Sequence, residues 1–174
     1  MGTQPDRRVQ ILIVESGEEI QMQGTGKILF INGSPNKEGN TAALAEALLS
    51  EKEYETLNLT DYKIYSYGQN FEDDQFDEVV LRMKKAETIV IGSPLYWHNI
   101  CGSVRNLIDR FYGPISEEEL SGRKLYFLFQ GAGPEKWMLE AGEYTMKRFA
   151  KLYGMEYAGM ATNSKEALGM SKTI

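Results

Sequence analysis

A single cysteine and a single histidine in 174 residues remove several kinds of chemistry before any pattern is read. Cys101 has no partner for an internal disulfide, and one thiolate cannot build a four-cysteine zinc or iron–sulfur site. With His98 the only imidazole, histidine metal sites and a conventional Ser-His-Asp triad are poorly provided for. No metal site is expected. Long apolar runs are missing too: none reaches 18 residues, so no membrane-crossing helix is expected. Arg7 and Arg8 are followed only by Val9 to Val14 before Glu15 intervenes, too short a stretch for a secretory signal, which makes the cytoplasm the expected location. Positive charge is not in excess. A net charge of −6 and a pI near 5.0 argue against nucleic acid or an anionic membrane as the main partner.

What is present is organised around Lys27 to Ser50, KILFINGSPNKEGNTAALAEALLS. Ile28 to Ile31 form the apolar run of a buried strand, and Ala42 to Leu49 carry Ala, Leu and Glu at helical spacing. The Gly, Ser, Pro, Asn and Thr loop between them delivers the chain to a helix start. There the first N–H groups lack partners and converge on one spot, which suits an anion and above all a phosphate. The loop ends Gly39-Asn40-Thr41, not the Gly-Lys-Ser/Thr of a nucleoside triphosphatase, and Gly33 to Gly39 do not supply G-x-G-x-x-G. Two readings remain: a monophosphate held by hydroxyls and backbone amides, with Lys37 the only cation in the loop, or a helix simply capped by Asn40 or Thr41.

The rest of the chain alternates. Residues 1–26 stand apart as an extension, with Val9 to Glu15 and Ile20 to Gln23 reading as a β-hairpin. From Lys27 onward the pattern predicts a second strand at 54–59, a helix at 76–86, a strand at 88–92 and a helix at 102–112. A strand at 123–130, a helix at 135–153 and a last strand at 155–161 follow. In the last helix Trp137, Leu139, Ala141, Tyr144, Phe149 and Leu152 are the candidates for the buried side. Such alternation implies one α/β domain, 27–174, with parallel strands, right-handed crossovers and helices on both faces. Ligands in such sheets lie beyond the carboxyl ends of the strands, where 33–41, 93–101 and 131–134 form the three unusual loops.

With Gly33-Ser34-Pro35-Asn36-Lys37-Glu38-Gly39-Asn40-Thr41 after the first core strand, the sequence resembles the flavodoxin-like NAD(P)H-dependent FMN reductases. Ser93-Pro94-Leu95-Tyr96-Trp97 with Gly102, Arg105 and Ile108-Asp109-Arg110 after the third strand strengthens the likeness. The match spans about 27 to 161. It implies a flavodoxin-like three-layer sandwich, its five-stranded parallel sheet ordered 2-1-3-4-5, binding FMN at the strand tips. Carried over, Ser34, Asn36, Gly39, Asn40 and Thr41 would hold the FMN phosphate, and Pro94, Leu95, Tyr96 and Trp97 would border the isoalloxazine ring. Gly131, Ala132 and Gly133 would approach its other side. NADH or NADPH would be the co-substrate, with a quinone, nitro or azo compound or free flavin accepting electrons. The flavin carries the chemistry, so no side chain is needed as catalyst. An electron-carrier flavodoxin and a non-catalytic module for a phosphate-bearing ligand are the alternatives.

The resemblance also implies a homodimer or tetramer with the flavin near a subunit contact, for which the N-terminal hairpin is a candidate. Two features depart from it: the iron–sulfur relatives' cysteine cluster is missing, and the hairpin lies outside the family core. His98 reads as a donor to substrate or flavin, or as a solvated side chain, and Cys101 as a small buried residue or a thiol acidified by a helix start. Arg105 faces either a dinucleotide phosphate or solvent. Asp109-Arg110 reads as a structural pair or helix-end charge, and Glu117-Glu118-Glu119 as a solvated helix start.

Overall fold

The computed structural model describes residues 27–174, together with the backbone of Ile11–Ile13 and Glu19–Gln21. Those two segments, β1 and β2, pair antiparallel with Leu12 opposite Ile20, as the expected hairpin requires. Ser16 to Glu18 and the joint Gly24-Thr25-Gly26 lie outside the described residues.

The apolar runs become β3 (Ile28–Asn32), β5 (Thr88–Tyr96) and β7 (Lys124–Gln130), flanked by β4 (Glu55–Asn58) and β8 (Glu156–Ala161). All five are parallel, in the order β4-β3-β5-β7-β8. Counted from β3 this is the expected 2-1-3-4-5. The three central strands are covered on both faces, which is why they read as nearly continuous apolar runs rather than alternating ones. Leu29 and Ile31 point into one core with α2 (Phe76–Lys85), α3 (Gly102–Phe111) and α4 (Lys136–Leu152). Phe30, Val90 and Leu128 point into the other, with α1 (Asn40–Leu48) and α5 (Ser164–Met170).

Three differences from the sequence reading have physical causes. First, β5 continues four residues past Gly92, because Leu95 and Tyr96 pair antiparallel with Ile100 and Asn99 of β6 (Asn99–Ile100). Beyond Gly92 the neighbour β3 has ended, so β5 is an edge on that side and tolerates Pro94. Second, α4 buries Met138, Gly142, Met146, Phe149 and Ala150 and leaves Trp137, Tyr144 and Leu152 exposed. A Cβ at 142 would lie 2.4 Å from Phe129 Cε1, so the helix meets the sheet through a glycine that no apolar count registers. Third, α5 was not anticipated. Its start is marked by Asn163, whose Oδ1 accepts from Glu166 N (3.0 Å) while the Glu166 carboxylate accepts from Thr162 N (2.7 Å), a variant of the reciprocal capping pattern.

Candidate functional site

The carboxyl ends of β3, β5 and β7 bring the three unusual loops together. Gly33 N–H donates to Gly92 O (2.8 Å), and Gly33 O accepts from Ser103 Oγ (2.7 Å) and Cys101 Sγ (3.3 Å). The root of the first loop is thereby tied to both β5 and the start of α3. A Cβ at 33 would lie 2.3 Å from Val104 Cγ2, so only glycine fits this crossing. The loop then braces itself: Ser34 N–H donates to Asn32 Oδ1 (3.0 Å), Asn36 N–H to Ser34 Oγ (3.1 Å) and Glu38 N–H to Asn36 Oδ1 (3.2 Å). Accepting through its oxygen leaves the Ser34 hydroxyl proton available to donate.

The two readings of this loop are separated by where α1 begins. Its cap residue is Gly39, in extended conformation and with no side-chain cap; Asn40 and Thr41 already lie inside the helix. The first N–H groups of α1 therefore keep no side-chain acceptor, which is the condition an anion needs. Thr41 is buried, its hydroxyl accepting from Gln130 Nε2 (3.3 Å) and its methyl set where a Cβ on Gly92 would come within 2.5 Å. Lys37 does not face this mouth. Its ammonium pairs with Asp61 (2.6 Å), so the donors at the loop are neutral.

The second loop, with Trp137 of α4 beside it, forms an aromatic rim. Pro94 is buried, Leu95 half-buried and Tyr96 exposed, and β5 returns into β6 through Trp97 and His98 at φ 46° and 66°. Both are left-handed values, in a two-residue turn that Asn-Gly usually fills. Trp97 is 95% exposed. The His98 ring lies 5.5 Å from that of Trp137, edge to face, and Trp137 Nε1–H donates to Glu135 (2.8 Å). Gly131 comes so close to β5 that a Cβ would stand 2.9 Å from Leu95 Cβ, while Ala132 and Gly133 are exposed, Gly133 at φ 64°. The twelve residues singled out from the sequence thus lie at or just beyond the carboxyl ends of β3, β5 and β7, Asn40 and Thr41 in the first turn of α1 and Pro94 to Tyr96 in the last residues of β5.

Other readings change. Arg105 pairs with Asp109 (3.0 Å), and Arg110 with Asp74, so Asp109 and Arg110 are not partners. Glu117 to Glu119 form turns, Glu118 at φ 61°, and Glu119 bridges to Lys84 (2.5 Å). Cys101 is buried. Residues that the sequence reading passed over are Asn32, fully buried with its amide donating to Asn58 (3.1 Å), and Gln130 at the tip of β7. Each is a polar side chain ending an apolar strand, the one signal that marks them. Ser93 is another: its hydroxyl accepts from Cys101 N (2.9 Å) and donates to Pro94 O (2.8 Å).

A doubly covered parallel sheet of order β4-β3-β5-β7-β8, with an uncapped helix start at its carboxyl edge, defines a flavodoxin-like α/β protein. The chain belongs to the NADPH-dependent FMN reductase family, whose model matches residues 26–162. An iron–sulfur flavoprotein of Archaeoglobus fulgidus is 40% identical over 97 residues, covering 48% of this chain and 48% of that protein. The chain spans about half the length of the curated relatives it matches. Among solved structures, a flavone reductase superposes with a TM-score of 0.70 at 17% identity, over 85% of this chain and 61% of its own. An FMN-dependent NADH-azoreductase from Bacillus anthracis, in complex with FMN, gives 0.57 at 16% identity over 84% and 94%. At these identities the structures establish the fold. The name of the archaeal relative includes an iron–sulfur centre; this chain brings one thiol to any such centre.

Proposed function

We propose that the protein is an FMN-dependent NAD(P)H oxidoreductase. The observation that carries this reading is the uncapped start of α1, with Ser34 and Thr41 beside it and an aromatic rim at the distance of two crossovers along the chain. The residues present fit FMN: neutral donors for a phosphate at Ser34, Asn36, Gly39, Asn40 and Thr41, and a wall of Pro94, Leu95, Tyr96 and Trp97 for a flat, partly apolar ring. Gly131 to Gly133 offer main-chain groups without bulky side chains beside that wall, Gly131 packed against Leu95. Bound FMN would supply the redox chemistry, taking hydride from NADH or NADPH and passing electrons to a quinone, a nitro or azo compound or free flavin. The chain's own part is to grip, orient and border the cofactor.

A homo-oligomer in the cytoplasm completes the reading, in keeping with the finding that, among the described residues, no helix is long and apolar enough to cross a membrane. The test is anaerobic mixing of FMN-loaded protein with NADH and NADPH. Bleaching of the flavin absorbance by either is expected. A coloured protein inert to both would leave the electron carrier, and a chain that takes up no FMN would leave the non-catalytic module.

A further inference from the structure

Gln130 ends the apolar run of β7 with a polar side chain, and none of the flavin contacts proposed above uses it. It lies two residues beyond Leu128, on the sheet face that packs on α1, and its Nε2 donates to Thr41 Oγ1 (3.3 Å). Between β7 and β3 runs β5, where Gly92 has no side chain. A Cβ there would come within 2.5 Å of the Thr41 methyl, so the glycine lets Thr41 settle deep enough for an amide from the next strand to reach it. Thr41 is 1% exposed.

A hydroxyl can accept and donate at once, and at Thr41 the accepting side is taken. Inside a helix a threonine proton can turn to the carbonyl three or four residues back. Thr41 is the second residue of α1, so the residues at those positions, Glu38 and Lys37, precede the helix, and among the described residues its proton meets no acceptor. Ser34 repeats the arrangement: it is buried, its oxygen accepts from Asn36 N–H (3.1 Å), and its proton is left to donate. A donor into a hydroxyl oxygen also polarises the O–H bond and strengthens the bond it gives. We infer that Gln130 is a positioning residue for the cofactor: by occupying the Thr41 oxygen from the tip of β7, its amide commits the Thr41 hydroxyl to donate to the phosphate. The inference rests on the FMN reading above and adds to it a residue that acts through the hydroxyl, from outside the loop.

Fluorescence titration of the flavin-free full chain with FMN and with riboflavin, which has the same ring and no phosphate, tests it. Gln130→Met keeps the reach of the side chain and removes its polar atoms. It is expected to raise the FMN dissociation constant about three- to tenfold and to leave that of riboflavin within about 1.5-fold. Because the amide acts through Thr41, the same change made on top of Thr41→Val is expected to move the FMN constant by less than about 1.5-fold. Thermal melting of each flavin-free variant reports that it is folded, and Gln130→Leu takes the place of a methionine variant that is not. Unchanged FMN affinity in Gln130→Met, an equal loss for FMN and riboflavin, or a loss that persists without the Thr41 hydroxyl overturns the role of Gln130 and leaves the FMN reading standing. A wild type that takes up neither flavin overturns both.

Discussion

Replacing Trp97 with Asn separates what the β5–β6 turn does for stability from what it does for binding. Trp97 sits at φ 46°, where an L residue with a bulky side chain costs about 1–2 kcal/mol. Asn tolerates that region, so the substitution recovers roughly 0.5–1 kcal/mol of it. Little opposes the gain, because an indole that is 95% exposed forfeits almost no packing when removed. For a chain of this size about 1 kcal/mol moves the melting temperature by roughly 2–4 °C, so the flavin-free variant is expected to melt about 1–4 °C higher. Binding is expected to move the other way. An aromatic contact with the flavin ring is worth about 0.5–1.5 kcal/mol, which raises the FMN dissociation constant roughly two- to twelvefold and makes bound flavin more fluorescent. Scanning calorimetry without FMN and a fluorescence titration with it give both numbers. A lower melting temperature would show that the turn stores no recoverable strain, and a higher one with unaltered FMN affinity and fluorescence would remove Trp97 from the ring's border.

Four further variants probe the site and its support. The double change Ser34→Ala and Thr41→Val is expected to weaken FMN binding about a hundredfold or more, since each hydrogen bond to a charged group is worth roughly 1.5–3 kcal/mol; unchanged affinity in a titration would exclude the phosphate from this loop. Arg110→Met removes a guanidinium that holds Asp74, donates to Tyr65 O (2.9 Å) and lies over the Phe76 ring (4.6 Å), leaving a mostly buried carboxylate without its cation, and is expected to cost about 3–5 kcal/mol by urea unfolding. Burial alone would raise the Asp74 pKa, but hydrogen bonds from Arg110 and from Phe76 N–H bring it below the ordinary value. Its contribution to stability is thus present above about pH 4 and lost as the pH falls through the lowered value, so the gap between wild type and variant is expected to narrow in acid. Gly33→Ala, with a Cβ 2.3 Å from Val104 Cγ2, is expected to cost about 1–3 kcal/mol and to shift the loop enough to weaken FMN binding. Gly102→Ala, which meets nothing within 4 Å, is expected to be neutral or slightly stabilising in the same thermal assay.

The sheet was legible because its signal is dense. Runs of three to five consecutive apolar residues at 28–31, 89–91 and 125–129 suit strands covered on both faces, and the helices between them dictate parallel pairing. The limits of that reasoning show in α4. Apolar periodicity identified the helix but not which of its two stripes meets the sheet, since the deciding residue, Gly142, works by having no side chain against Phe129. The same blindness affects β5, whose extension to Tyr96 depends on pairing with β6 and not on its own composition. Capping at Asn163 and Glu166 was written in the sequence, but the helix it starts is only seven residues long, too short for a periodic signal.

The site was legible to a different depth. Residue types common at anion-binding loops stand together between Gly33 and Thr41, so their gathering could be read directly; what could not be read was which of them would be spent on the loop itself. Gln130 supports Thr41 from 89 positions away, and Asn32, which accepts from Ser34 N–H, is itself held by Asn58 across 26. Lys37 shows the converse. Alone in the sequence it looks like the natural counter-charge for a phosphate, yet the short helical turn after β4 sets Asp61 against it. An anion at the start of α1, as proposed, would then be held by oriented neutral dipoles rather than by a mobile ammonium. Dipoles fixed by a fold need little reorganisation on binding, and their hold is less sensitive to salt than that of an exposed ion pair. A chain with one histidine and one cysteine has little else to offer a ligand than position, and the way Gly33, Gly92 and Gly131 let α1, α3 and β5 crowd together is how this one supplies it.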